Sequence, residues 1–358
     1  MRRYSEKITC GGLCIGGDSP IRIQSMTNTD TRDVAATVAQ ILRLEEAGCE
    51  LIRLAVPDAE AAAAFAEIKK KTHVPLIADI HFDYRLAIAS MDAGADKIRI
   101  NPGNIGEKDK IRAVVAHAKT VGIPIRIGVN SGSVEKDLLQ KYGGPVPEAL
   151  AESAERNIDQ IRQMGFDDLI ISIKSSNVTD NTKAFRILAE KTEIPFHIGI
   201  TEAGVGNRAL VKSAVGIGAL LLDGLGDTIR VSLTADPVEE IAVAQDILAS
   251  IDLLPNAINL ISCPTCGRCR VNLPEIASRV NAALVDLEAD RRKRGEGKKL
   301  TVAVMGCAVN GPGEASHADV GIACGRGNAV LFRNGQKVDS VSEEACVARL
   351  LDEIRLLL

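Results

Sequence analysis

Two sets of residues in this 358-residue chain have the types and spacing to do chemistry. The first is Cys263, Cys266 and Cys269, three thiols at x2 spacing in CPTCGRC, with Cys307 following a β-branched run in MGCAVNGPGE. Three thiolates and one distant ligand suit either zinc or an iron-sulfur cluster. Zinc sites usually pair two C-x-x-C knuckles, and this sequence has no second knuckle, which tilts the reading to iron. Cys10, Cys14, Cys49, Cys324 and Cys346 stand singly or in apolar runs and read as buried hydrophobes.

The second set is a series of cations inside otherwise apolar segments: Arg53, Arg99, Arg126, Lys174 and Arg230. A polar partner often follows two positions on, as in Arg99 with Asn101 and Arg230 with Ser232, and that spacing puts both side chains on one face of a strand. A single buried cation signals a salt bridge. Five converging cations outnumber the visible acids, Asp79 and Glu202, so the economical ligand is a small multiply charged anion such as phosphate or diphosphate. Asp79 with His81, and His197 with Glu202, are candidates for proton transfer or hydroxyl recognition. Glycine loops NPGNIG, NSGS and AGVGNR, which contain Asn101, Asn130 and Gly204, offer backbone amides to an anion. GVGNRA fits a dinucleotide fingerprint only formally, because it does not open a βαβ half.

The elements that must position these groups follow a regular rhythm. From Ile21 to about Ser250, short β-branched runs alternate with Ala/Glu/Leu-rich amphipathic stretches, the pattern of βα units around a parallel sheet. The candidate strands are IRIQS, CELIRLAV, PLIADI, DKIRIN, PIRIGV, DLIISIK, PFHIGIT and DTIRVS. Eight such units in about 230 residues match a (β/α)8 TIM barrel, with function at the C-terminal strand ends. A doubly wound sheet is the structural alternative. The segment 1–20, with its glycine pairs, reads as a hairpin or barrel plug. The barrel covers 21–251, 252–256 is a linker, and 257–358 is a small α+β domain with strands TVAVMG, DVGIA and AVLFR and a last helix from Ser342.

Composition excludes several classes. A net charge of −4 and 3% aromatics disfavour nucleic acid as a partner, and the run RRKRGEGKK reads as a solvated helix end and loop. No apolar run approaches the roughly 18 residues of a membrane span, and no signal-peptide core is visible, so the chain is expected to be soluble and cytoplasmic, with its nine cysteines reduced.

Longer motifs are more specific. SMTNTDTRD at Ser25, ADIHFDYRLA at Ala78, RINPGNIG at Arg99, IRIGVNSGSVEKD at Ile125, GITEAG at Gly199, GDTIRVSLTADPVEE at Gly226, SCPTC at Ser262 and GCAVNGPGEA at Gly306 closely resemble the bacterial 4-hydroxy-3-methylbut-2-enyl diphosphate synthase family of isoprenoid precursor biosynthesis. The match runs over nearly the whole chain. The resemblance implies a two-electron reductive ring opening and dehydration of 2-C-methyl-D-erythritol 2,4-cyclodiphosphate. It implies a 4Fe-4S cluster held by Cys263, Cys266, Cys307 and Glu314; Cys269 departs from the family pattern and leaves an all-cysteine alternative open. It places Arg53, Arg99, Asn101, Arg126, Asn130, Lys174, His197, Arg230 and Ser232 around the substrate, and Glu202, His81 and Asp79 in catalysis. Ferredoxin or flavodoxin is the implied electron donor, and a homodimer with shared active sites the implied assembly. The rival from the residues alone is a zinc-stabilised barrel enzyme acting on another small phosphorylated substrate.

Overall fold

A computed structural model describes residues 2–294, 297–307 and 311–358. The chain divides into two compact units, Met1–Leu248 and Ala249–Leu358.

The first unit opens with an antiparallel hairpin, β1 (Ile8–Cys10) and β2 (Leu13–Ile15). Eight strands alternating with helices follow: β3 (Arg22–Met26), α1 (Val34–Glu46), β4 (Leu51–Ala55), α2 (Ala59–Lys69), β5 (Leu76–Asp79), α3 (Tyr84–Asp92), β6 (Lys97–Ile100), α4 (Pro102–Ile105), α5 (Lys108–Val121), β7 (Ile125–Asn130), α6 (Lys136–Tyr142), α7 (Pro147–Arg162), β8 (Leu169–Lys174), α8 (Val178–Ala189), β9 (His197–Ile198), α9 (Gly206–Leu222), β10 (Thr228–Ile229) and α10 (Pro237–Ser250). Helix starts carry the caps expected of them. Asp33 and Asp58 accept hydrogen bonds from Ala36 N and Ala61 N, and Gly122 ends α5 in the left-handed region.

All eight strands run parallel in the order β8-β7-β6-β5-β4-β3-β10-β9, and a bridge from Ile171 in β8 to Phe196, just before β9, closes the ring. This is the (β/α)8 barrel. The hairpin seals its N-terminal end, where Ile8, Cys10 and Ile15 bury against Leu51, Ile77 and Ile170. Because Leu51 and Ile77 point inward there, the residues two positions on, Arg53 and Asp79, also point inward but nearer the opposite mouth. The seventh and eighth strands are shorter than the apolar runs PFHIGIT and DTIRVS suggest, at two residues each. After β9 the backbone enters a left-handed turn, with φ of 52° at Glu202, 105° at Gly204 and 59° at Gly206, which no continuous strand accommodates.

The second unit contains β11 (Ile258–Ser262), α11 (Leu273–Arg294), β12 (Leu300–Met305), α12 (Gly311–Ser316), β13 (Val320–Cys324), β14 (Asn328–Arg333), β15 (Gln336–Ser342) and α13 (Cys346–Leu357). Its sheet runs β11-β12-β13-β14-β15, parallel through the first three strands and antiparallel thereafter. Leu273, Ile276 and Val280 of α11 and Leu350 and Ile354 of α13 bury against Val302, Val304, Ile322 and Leu331. Two of these strands escape sequence reasoning: INLIS and QKVDSVS are edge strands with largely exposed residues, so they lack the apolar signal. The last helix begins at Cys346, not Ser342, because Ser342 ends β15 and accepts a turn bond from Ala345 N. Within RRKRGEGKK, α11 extends to Arg294, and residues 295–296 lie outside the described residues.

Candidate active site

Strand alternation aims an unusual set of side chains into the barrel. Arg53 of β4, Lys97 and Arg99 of β6 and Arg126 of β7 are all at most 3% exposed. Lys174 ends β8, and Arg230 directly follows β10. Arg53, Ser172, Lys174, His197, Arg230 and Ser232 line one cleft. Arg126 sits near the start of its strand rather than at the C-terminal end that the sequence suggests; the stagger of the barrel pairs it with Arg99 in register. Lys97 escaped sequence reasoning altogether, although its position two residues before Arg99 was the available signal.

Among the described residues, two carboxylates pair with these cations. Asp79 lies 3.2 Å from Arg99 Nη1, 3.7 Å from Arg53 Nε and 3.4 Å from His81 Nε2. Burial alone would raise its pKa, but Arg53, His81, Arg99 and Arg126 together hold the carboxyl well below the usual range. The second carboxylate is Glu240 of α10, 3.4 Å from Arg230 Nε. In sequence, Glu202 is the other acid visible near these cations besides Asp79. The structure instead makes Glu202 an exposed residue of the left-handed turn after β9, because the short β9 ends before it.

The remaining positive charge is poorly compensated. None of the three guanidinium nitrogens of Arg126, nor Nζ of Lys97, has a hydrogen-bond partner among the described residues. Burial, followed by repulsion from Arg53 and Arg99, drives the Arg126 pKa well down. Burial likewise lowers Lys174, with Arg53, Arg99 and Arg126 adding to it. Lys97 falls to about 8 and Arg53 to about 10, burial being the largest cause in both. His197, buried with Nδ1 2.8 Å from Thr228 Oγ1, is pushed well below its ordinary value by burial and by Arg126, Lys97, Arg53 and Lys174, which keeps the imidazole neutral. Such a cup suits an anion with two or three charges, whose oxygens can meet guanidinium forks.

Asn101 and Asn130 are positioned at the same barrel mouth as helix caps. Asn101 Oδ1 accepts from Gly103 N (3.1 Å), and its amide donates to Ser133 Oγ (2.8 Å). Asn130 N donates to the same hydroxyl (3.2 Å), so Ser133 ties the loops after β6 and β7 together. His81 is half-exposed beside the exposed Phe82. Gly128 has a steric role: a β-carbon there would lie 2.6 Å from Arg99 Nε.

The cysteines belong to the second unit. β11 and β12 are parallel neighbours, and Cys263 N donates to Val304 O (3.2 Å), so Cys263 and Cys307 leave the sheet at the same edge. The intervening turn, with Thr265 at φ 66°, folds back through Cys269 N to Cys266 O (2.9 Å). Cys266 is exposed, and hydrogen bonds from the Arg268 backbone and side chain lower its thiol pKa, which favours the thiolate a metal requires. Cys269 is half-buried: its thiol donates to Val271 O (3.4 Å) and packs against Gly306 and the core. Glu314 is exposed in the first turn of α12. Among the described residues no three Cys, His, Asp or Glu side chains gather at ligand distance of one point, while 308–310 lie outside them. The donor types, with Cys263 and Cys307 beyond the ends of neighbouring parallel strands, nevertheless suit an iron-sulfur cluster.

Comparison with known proteins gives concordant results. The family model for the GcpE TIM-barrel domain matches residues 5–245, and that for the GcpE protein C-terminal domain matches 259–356. A 4-hydroxy-3-methylbut-2-en-1-yl diphosphate synthase (flavodoxin) of Ruminiclostridium cellulolyticum is 54% identical over 353 residues, covering 99% of this chain and 98% of the relative. The enzyme of that name from Geobacter sulfurreducens is 51% identical over 358 residues, covering 100% and 99%. Among solved structures, dihydropteroate synthase of Yersinia pestis aligns at TM-score 0.51 and 17% identity over 69% of this chain and 98% of its own, a likeness of barrel fold alone.

Proposed function

This chain belongs to the GcpE family, and on that premise we propose that it converts 2-C-methyl-D-erythritol 2,4-cyclodiphosphate to 4-hydroxy-3-methylbut-2-enyl diphosphate. In that reaction one carbon–oxygen bond to the ring diphosphate breaks, the neighbouring hydroxyl leaves as water, and two electrons complete the new carbon–carbon double bond. Ring opening frees a diphosphate oxygen, so negative charge grows on the diphosphate as the bond breaks. The observation that carries the reading is the under-compensated cation cup of the barrel. Preset positive charge of this kind stabilises the developing anion more than the ground state, which is what accelerates a reaction.

In this reading Arg53, Arg99, Arg126, Lys174 and Arg230, with Ser232, hold the diphosphate, while Asn101, Asn130 and His197 shape its surroundings. Asp79 fixes Arg53, Arg99 and His81 relative to one another. His81 and Glu202, both open to solvent, supply the proton that the departing hydroxyl needs. Cys263, Cys266, Cys307 and Glu314 would hold a 4Fe-4S cluster, which when bound would supply the reaction's electrons. The relatives' names support flavodoxin as electron donor. The family resemblance supports a cytoplasmic homodimer with shared sites. No helix among the described residues is long and apolar enough to cross a membrane.

The test is iron, zinc and acid-labile sulfide content of protein purified without oxygen. About four iron and four sulfide per chain, followed by reduction of the cyclic diphosphate, is the expected result. Zinc without sulfide, persisting after attempted reconstitution, would sink the redox reading. Mixing inactive Arg126→Ala subunits with inactive Cys307→Ser subunits restores activity if sites are shared between chains, and restores none if each chain is self-contained.

A further inference from the structure

We infer that Glu240 is the positioning residue for Arg230 and for the Ser232 loop, an inference that rests on the diphosphate reading above. Glu240 lies in the first turn of α10, is 3% exposed, and has both carboxylate oxygens anchored. Oε2 accepts from Ser25 Oγ (2.9 Å), and Oε1 accepts from Leu233 N (3.1 Å). Those contacts tie it to strand β3 on one side and to the loop after β10 on the other, so the carboxylate is a fixed post. Arg230 meets it with a two-pronged contact, Nε to Oε2 at 3.4 Å and Nη2 to Oε1 at 3.5 Å.

The prongs are long compared with the roughly 2.8 Å of a tight charge-assisted bond. The post therefore sets the plane and direction of the guanidinium without satisfying it. The Arg230 side chain keeps 21% exposure on the cleft that it lines with Arg53, Lys174 and Ser232. A fork so aimed can take a phosphate oxygen pair at close range with little side-chain entropy left to lose. The bond to Leu233 N extends the effect to Ser232, one residue before it.

The experiment measures binding of inorganic diphosphate by calorimetry to the intact protein as wild type, E240Q, R230A and the double variant, with KM and kcat alongside. E240Q keeps size and an acceptor for Leu233 N but removes the charge that aligns the fork. The expected result is about tenfold weaker binding for E240Q, a rise in KM larger than the fall in kcat, and no further loss when E240Q is added to R230A. Equal losses in the wild-type and R230A backgrounds would show a merely structural role and overturn the inference, as would unchanged or tighter binding by E240Q. If E240Q does not fold, Ser25→Ala, which frees one carboxylate oxygen, carries the same comparison: weaker binding in wild type and none of that effect in R230A. Wild-type protein that fails to bind diphosphate would overturn the diphosphate reading itself, and this inference with it.

Discussion

Replacing Lys97 with methionine removes a buried ammonium whose Nζ has no hydrogen-bond partner and which is 0% exposed. Burial depresses its pKa from 10.5 to about 8; a pull from Cys10 opposes it, and repulsion from Arg126 and Arg53 adds to it. Between about pH 8 and 10.5 the unfolded chain binds more protons at this site than the folded one, so stability rises with pH across that window. Below pH 8 both states are charged and the full penalty applies, about 3 kcal/mol at roughly 1.4 kcal/mol per pKa unit. Methionine fills nearly the same volume without charge, so Lys97→Met should stabilise the barrel by about that amount at pH 7, a rise of roughly 6–12 °C in Tm for a unit of this size. Thermal and urea unfolding at pH 7 and pH 10, followed by circular dichroism, measure it. The gain should shrink at the higher pH, and shrink again at pH 7 with saturating diphosphate, because a bound anion neutralises the charge that methionine removes. A variant less stable than wild type at pH 7, or a difference independent of pH, would refute the reasoning.

Other perturbations have equally definite outcomes. Gly128→Ala places a β-carbon 2.6 Å from the buried Arg99 guanidinium, and should cost about 1–3 kcal/mol of stability and at least tenfold in diphosphate affinity; affinity within twofold of wild type would show that Arg99 can move. His197 is kept neutral in the folded state, so stability should fall as pH drops below about 6.5, where the unfolded imidazole protonates. His197→Gln should flatten the stability profile between pH 5 and 7, as read by urea midpoints. Glu202→Gln should lower kcat by about two orders of magnitude with cluster content intact, and near-normal turnover would remove its proton-transfer role. Cys266→Ser should lose iron and sulfide while leaving diphosphate binding at the barrel unchanged, which calorimetry checks.

Much of this was readable from residue order. Regular alternation of β-branched runs and amphipathic stretches implies a ring of parallel strands, because each βα unit buries its apolar faces in the same way wherever it occurs. Inward cations were visible for a related reason: Arg99 or Arg126 in an apolar run conflicts with its neighbours, and such conflicts mark sites. Edge strands β11 and β15 were not visible, since largely exposed strands have almost no apolar pattern to read.

What residue order determined, then, was everything set by local periodicity and by residue type: the barrel, the cations, and the thiols at x2 spacing. Asp79 was legible among those cations, but which second carboxylate answers them was decided by tertiary structure alone. Glu202 and Glu240 are both acids close in sequence to barrel strands, yet the left-handed turn after β9 exposes the first, while α10 packs back to bury the second against Arg230 and Ser25. Nor does residue order show how completely Lys97 and Arg126 are buried. Barrel closure, which stacks them with Arg53 beneath a common mouth and excludes water, is what lowers their pKa values and makes the interior a receptor for an anion.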